Sequence, residues 1–266
     1  MQMLELKNVS KTFNPGTPSE KQALVELNVK LEAGDFVTVI GGNGAGKSTM
    51  LNAIAGSWLI DHGQVLIDGV DVTKLPEHKR ASYLGRVFQD PMQGTATDME
   101  IEENLAIAYR RGESRTLRWG INGDERERYK EMLKTLDLGL ETRLRAKVGL
   151  LSGGQRQALT LLMATLKKPK VLLLDEHTAA LDPKTAAKVL EISDKIISEN
   201  NLTALMVTHN MKDAIQHGNR LIMMGNGRVV LDIQGEEKKR LTVEDLLQRF
   251  SVASGSEFAN DRALLG

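Results

Sequence analysis

Apolar residues fall along this chain in two rhythms. Short apolar runs occur at Phe36-Val37-Thr38-Val39-Ile40, at Tyr83 to Phe88, at Val171-Leu172-Leu173-Leu174 and at Thr203-Ala204-Leu205-Met206-Val207-Thr208. Runs of this length with few polar breaks predict strands buried on both faces, as in a parallel sheet. Between them apolar residues recur at helical spacing: Met50, Leu51, Ile54 and Ala55, then Leu159, Leu162, Met163 and Leu166, then Val189, Ile192 and Ile196. Strands alternating with helices predict an α/β domain. The ends of the chain read differently. Leu4, Leu6 and Val9 are spaced as a short half-buried strand, and Leu24, Leu27, Val29 and Leu31 as a second, irregular one before a Gly34-Asp35 turn. Asp68-Gly69 between Gln64–Ile67 and Val70–Val72 is a hairpin signal, so a small antiparallel sheet is expected against the parallel one. Asn226-Gly227 between Leu221–Met224 and Val229–Leu231 predicts a closing hairpin. A short helix is expected from Thr242, as its cap, to Phe250, followed by a fraying tail over 251–266.

From Pro91 to about Leu166 the rhythm is helical, through Ile101, Leu105 and Ala108 and then Tyr129, Met132, Leu133 and Leu136. This predicts a helical subdomain over about 91–166, inserted into a single domain spanning 1–250. Within it Arg110 to Arg128 carries six arginines, four acids and Trp119. Balanced charge favours a solvated face over a phosphate-rich partner. Trp119 is open between a contact surface and a cap on a small core.

Composition narrows the partners. The chain has 266 residues, with 35 Lys plus Arg against 35 Asp plus Glu, so there is no electrostatic case for nucleic acid as the main partner. It has no cysteine, which excludes disulfides and thiol chemistry and fits a reducing compartment. No apolar run approaches the ~20 residues of a membrane-spanning helix, and the charged, alternating N-terminus is not a signal peptide. Any membrane role is expected to come through another chain.

Chemistry concentrates where strands end. After Ile40 comes Gly41-Gly42-Asn43-Gly44-Ala45-Gly46-Lys47-Ser48-Thr49, which fits the phosphate-loop spacing at Gly41, Gly46, Lys47 and Ser48. Glycines let backbone N–H groups approach phosphate oxygens, Lys47 offers a compact positive charge, and Ser48 offers a hydroxyl to Mg²⁺. The helix that follows puts its N-terminus at the anion. Asp175-Glu176 ends the third core strand. A carboxylate there, beside a phosphate loop, is where Mg²⁺ is held, and the adjacent Glu176 is free to orient an attacking water. His209 ends the fourth strand, on the same edge of the sheet. Gln89 ends the second; by itself it reads as a surface amide before the Asp90-Pro91 turn. Phe13 is open between adenine stacking and a core aromatic. Ser152-Gly153-Gly154-Gln155 opens another helix with Ser152 as N-cap, open between an ordinary capped helix and a second anion-binding helix start. One nucleotide cannot use two such ends on one face of one domain, so if both are real two chains must face each other.

In this order the pieces resemble the nucleotide-binding subunit of an ATP-binding cassette (ABC) transporter, over nearly everything from residue 1 to about 235. The specific match is Leu151-Ser152-Gly153-Gly154-Gln155 upstream of Leu174-Asp175-Glu176. Gln89 is similar to the family's Q-loop residue, Asp182 to its D-loop, His209 to its switch histidine, and Phe13 to its adenine-stacking position, where tyrosine is commoner. The resemblance implies the ABC ATPase fold: a P-loop NTPase core with an antiparallel β subdomain and an inserted α-helical subdomain. It also implies two copies head to tail, trapping two ATP. Each ATP lies on one chain's phosphate loop and under Ser152 and Gly154 of the other, with Asp182 among the nucleotide-binding residues. Ser48, Gln89 and, through water, Asp175 would hold Mg²⁺; Glu176 would polarise the water; His209 would hold the γ-phosphate. The implied partners are integral membrane permease subunits, docked in the groove beside Gln89 and the helical insert, and an extracytoplasmic solute-binding protein. The implied place is the cytoplasmic face of the cell membrane. The Asp-Glu-His-Thr-Ala-Ala-Leu-Asp-Pro stretch is similar to importers of small solutes such as amino acids. Non-transport cassettes, of DNA repair, translation or cofactor assembly, are the alternative; their large insertions, tandem cassettes or basic grooves are not visible here. One departure stands out: His177 follows Glu176 where the family usually has proline, freeing the turn and adding a titratable ring near the site.

Overall fold

The structure, a computed structural model, describes residues 1–113 and 120–254. Trp119 and the end of the tail, beyond 254, lie outside these residues. The chain opens with two long antiparallel strands, β1 (Gln2–Phe13) and β2 (Lys21–Glu32). The first is longer than its apolar spacing predicts. Bulges break the register at several points, and Asn8 on one strand and Glu26 on the other adopt positive φ, so alternation is lost while pairing continues. After β3 (Phe36–Ile40) and α1 (Lys47–Ala55), β4 (His62–Ile67) and β5 (Val70–Asp71) complete a four-stranded sheet in the order β2-β1-β4-β5.

A short α2 (Glu77–Arg80) leads to β6 (Leu84–Val87). Residues 91–166 then carry α3 (Ile101–Tyr109), α4 (Gly123–Lys134) and α5 (Gly153–Thr165). The rest alternates: β7 (Val171–Asp175), α6 (Pro183–Glu199), β8 (Ala204–Val207), α7 (Met211–Gln216), β9 (Arg220–Gly225), β10 (Arg228–Gln234), α8 (Gly235–Lys239) and α9 (Val243–Ser254). The second sheet runs β10-β9-β3-β8-β7-β6, parallel except for β10 at its edge. The expected α/β fold is therefore present, with an antiparallel sheet beside a parallel one. Helix α9 continues through Ser254, four residues past the predicted end, and Thr242 caps it, its hydroxyl accepting from the Asp245 N–H at 3.1 Å.

Period-two burial divides the core. On β7, Leu172 and Leu174 pack with helices α3 to α6, while Val171 and Leu173 pack with α1 and the antiparallel sheet. A third cluster joins Ile40, Leu221 and Met223 to α7 and α9 through Met211, Leu246 and Phe250. Met206, Met223 and Met224 are all core filling. Among the described residues of the arginine-rich stretch, the arginines pair within the helical segment itself. Arg126 forks onto Glu102 at 2.6 and 2.8 Å, holding that carboxyl below its ordinary range; Arg110 pairs with Glu125 at 3.0 Å; Arg128 lies over Tyr109.

Strand order places the site. Neighbours β3, β8, β7 and β6 run parallel, with Val39 opposite Val207 and Val207 opposite Asp175. Their carboxyl ends come out side by side, which is where ligands sit in open α/β sheets.

Candidate functional site

At that edge a cleft of about 360 Å³ is lined by Phe13, Lys21, Ala23, Asn43 to Thr49, Gln89, Glu176 and His209. Its floor is the loop between β3 and α1. Gly41, Gly44 and Gly46 all have positive φ. Gly41 and Gly46 are both closely confined: a Cβ at Gly41 would come 2.3 Å from the Met224 carbonyl oxygen, and one at Gly46 2.5 Å from the Ala23 carbonyl oxygen and 3.3 Å from Gly227 Cα. The Asn226-Gly227 turn that lies against the loop bonds it, Gly227 N–H donating to the Ala45 carbonyl at 3.0 Å. Gly46 is also the N-cap of α1 and brings no capping side chain, so the helix's first N–H groups face the cleft without a side-chain acceptor. Lys47 is 5% exposed and donates to the Gly41 and Gly42 carbonyls at 2.6 and 3.2 Å.

Two side chains from adjacent strand ends meet over this loop. Glu176 follows β7 with φ of 46°, its N–H donating to the Val207 carbonyl at 3.0 Å. His209 follows β8, and its Nε2 lies 2.5 Å from Glu176 Oε1. The Glu176 side chain is 10% exposed and that of His209 39% exposed, so the carboxylate is set back behind the ring. Asp175 sits below the cleft. Burial pushes its carboxyl above the ordinary aspartate range, and the Arg86 guanidinium, 3.4 Å away, pulls against that. Phe13 stands at the cleft's mouth, edge-on to Trp58 with ring centroids 5.0 Å apart.

The second helix start lies elsewhere. Ser152 caps α5, its Oγ accepting from Gln155 N–H at 3.3 Å, and Gln155 Oε1 accepts from Ser152 N–H at 3.2 Å. Gln155 also donates to the Leu138 carbonyl at 3.3 Å. Asp182 caps α6, accepting from Thr185 N–H at 3.1 Å, and that first turn abuts the start of α5, where Thr185 fills the space a Cβ on Gly154 would need. None of Ser152, Gly153, Gly154, Gln155 or Asp182 lines the phosphate-loop cleft.

Known proteins resemble this chain over most of its length. The family profile described as "ABC transporter" matches residues 24–179. A tyrosine transport ATP-binding protein of Clostridioides difficile is 48% identical over 252 residues, covering 94% of this chain and 100% of that protein. The methionine import ATP-binding protein MetN of Bartonella henselae is 33% identical, over 86% of this chain and 64% of that protein. The dimeric, post-hydrolysis structure of the ATP-binding cassette MJ0796 with ADP and Pi superposes with a TM-score of 0.73 at 31% identity, covering 87% of this chain and 98% of that one. The chain belongs to the ATP-binding subunits of ABC transporters.

As an ABC ATPase it carries a site in which the structure gathers Phe13, the phosphate loop, Gln89, Glu176 and His209, and holds the Ser152–Gln155 segment apart. Three residues had escaped the sequence reading. Lys21, at the start of β2, lies over Gly44, its ammonium 2.9 Å from where a Cβ would stand. Nothing in the sequence separates it from other exposed lysines. Gln157 of α5 donates to the Phe88 carbonyl at 3.1 Å, tying the residue before Gln89 to the Ser152 helix. Arg86 had a signal: it is the one charge in the β6 strand, and it bridges Asp175 to Asn52 of α1. His177 differs from expectation. Its ring is buried and burial lowers its pKa to about 4, so it does not act as an exposed titrating group.

The donors fit Mg²⁺. Among the described residues no cluster of three or more His, Cys, Asp or Glu forms a metal cage. The hydroxyl of Ser48, the amide oxygen of Gln89 and the Asp175 carboxylate are instead a sparse set of hard oxygens, suited to an ion that completes its shell with phosphate and water. Among the described residues no helix is long and apolar enough to cross a membrane.

Proposed function

We propose that this ATPase powers an importer of a small solute, with an amino acid as the cargo class, by closing two copies of the chain around ATP. The observation that carries the mechanism is the separation of two helix starts. One lines the cleft with Glu176 and His209, and the other, at Ser152, does not line it. The cargo class is supported by relatives that transport tyrosine and import methionine. The closed pair is supported by the dimeric cassette with ADP and Pi.

In this reading Lys47 and the amides of Gly42 to Ser48 hold the β- and γ-phosphates, Thr49 reaches towards the α-phosphate, and Phe13 stacks on adenine. Ser48, Gln89 and, through water, Asp175 would hold Mg²⁺, which would supply charge neutralisation at the phosphates. Glu176 accepts a hydrogen bond from the attacking water. The water oxygen bonds to the γ-phosphorus, the bond to the β–γ bridging oxygen breaks, ADP carries the electron pair away, and the water's proton passes to Glu176. His209 donates to a γ-phosphate oxygen. The partner's Ser152, Gly153, Gly154 and Gln155 close the site over the same phosphate, with Asp182 of each copy at the seam. Phosphoryl transfer requires mainly positioning and charge neutralisation, which this set provides. Loss of the γ-phosphate removes what joins the copies, so the pair opens. Permease subunits dock beside Gln89, a solute-binding protein delivers cargo on the far side, and the chain works at the cytoplasmic face of the membrane.

The test is Glu176→Gln. The variant should bind Mg-ATP with near-native affinity while turnover falls on the order of a hundredfold or more. Native turnover by that variant would remove the proposed base, and co-purification of the tagged chain with ribosomes or DNA in place of a membrane protein would overturn the transport assignment.

A further inference from the structure

Glu176 occupies a left-handed backbone conformation that a side-chain-bearing residue adopts at a cost of about 1 kcal/mol or more, so its surroundings must hold it there. Two backbone bonds help: its N–H to the Val207 carbonyl and the Ala179 N–H to its own carbonyl, both at 3.0 Å. The next residue adds a third restraint. His177 is 2% exposed, and its Nε2 lies 3.0 Å from Ser193 Oγ in the middle of α6. Ser193 is fully buried, and its only hydroxyl hydrogen goes to the Val189 carbonyl at 2.8 Å. The hydroxyl is therefore the acceptor towards the ring, and His177 Nε2 carries the hydrogen. The bond spans sixteen residues. It fastens the peptide after Glu176 to the helix that Asp182 caps and whose first turn packs against Gly154.

We propose that His177 is a positioning residue for ATP hydrolysis: by donating from Nε2 to Ser193 it fixes the Glu176 peptide against α6 and so aims the Glu176 carboxylate into the phosphate-loop cleft. The proposal rests on the reading of Glu176 as the base. It differs from simple packing in one respect. Packing needs only volume at residue 177, whereas this role needs an N–H donor there and an oxygen acceptor at residue 193. Leucine supplies volume without a donor. Glutamine supplies both.

The test compares the intact chain with His177→Leu, His177→Gln, Ser193→Ala and Glu176→Gln, measuring Mg-ATP turnover, binding of a fluorescent ATP analogue and thermal melting. His177→Leu and Ser193→Ala should bind nucleotide within about twofold of the native chain, keep KM, and lose on the order of tenfold in kcat, as expected for a base displaced by a fraction of an ångström. His177→Gln should recover most of that loss. Native kcat in His177→Leu and Ser193→Ala overturns the proposal, as does His177→Gln behaving like His177→Leu at equal melting temperature, or nucleotide binding falling in parallel with turnover. If His177→Leu does not fold, Ser193→Ala against His177→Gln decides on the same terms. Glu176→Gln separates the two ideas. Full turnover in that variant sinks the base itself, whereas an inactive Glu176→Gln beside native His177 variants sinks only the positioning role.

Discussion

Arg86 shows how one side chain can be fixed by several partial reasons. It projects from β6, where Leu84 and Val87 are buried, and its guanidinium is shared among Asn52 at 2.9 Å, Ser57 at 3.2 Å and Asp175 at 3.4 Å, while its Cζ lies 4.5 Å from the Phe88 ring centroid. Its side chain is 13% exposed and that of Asp175 16% exposed, so removing the cation leaves a desolvated carboxylate without its charge partner. Arg86→Met should therefore cost about 2–3 kcal/mol of stability, read by urea unfolding, and clearly less in an Asp175→Asn background. Arg86→Lys should restore only part, because an ammonium cannot reach Asn52, Ser57 and Asp175 together. At this scale the sequence was legible where a residue type has one use. Lys47 and Ser48 could be placed in the loop after β3 from its spacing, and Asp175 at the end of a strand. Lys21 and Gln157 could not, because their importance comes from what lies across from them in space. His177 was legible as a departure but not as an anchor, since nothing in the sequence pairs it with Ser193.

The elements follow from local pattern wherever burial is uniform. Strands β3, β7 and β8 were readable because both faces are covered, making every position apolar except Thr38 and Asp175. The β1–β2 pair was shortened in the reading because bulges spoil its alternation, although pairing runs on to Phe13. Near the C-terminus, helix α8 holds a buried cation. Lys238 is 2% exposed, donates to the His217 and Gly218 carbonyls just past α7, and burial lowers its pKa to about 8. The sign of the resulting pH dependence is definite. Below about pH 8 the amine is charged in folded and unfolded chains alike, and the folded state carries the full desolvation penalty. Between about pH 8 and the ordinary lysine value near 10.5 only the unfolded chain keeps the proton, so stability rises with pH. Relative to Lys238→Met, the native chain should gain up to about 3 kcal/mol across that window, measured by denaturant titration at stepped pH. A flat difference would show that Lys238 is not desolvated in solution.

For the whole molecule the governing feature is that the Ser152 cap does not line the phosphate-loop cleft. In the function proposed above, a complete site takes two copies. Affinity between copies should therefore depend on nucleotide. Glu176→Gln with Mg-ATP should elute as a dimer in size-exclusion chromatography coupled to light scattering, and the same variant with Mg-ADP as a monomer. A monomer under both conditions at micromolar concentration would rule out ATP as the glue. One further consequence follows from the Asn226-Gly227 turn, which bonds Ala45 through Gly227 N–H and receives the Val25 N–H on the Gly227 carbonyl. During synthesis the phosphate loop leaves the ribosome well before this brace, because Gly41 to Thr49 precede Asn226-Gly227 in the chain by most of the α/β core. A nascent chain thus carries the motif long before it has the turn that braces it, and nucleotide capture is postponed until that turn has been made.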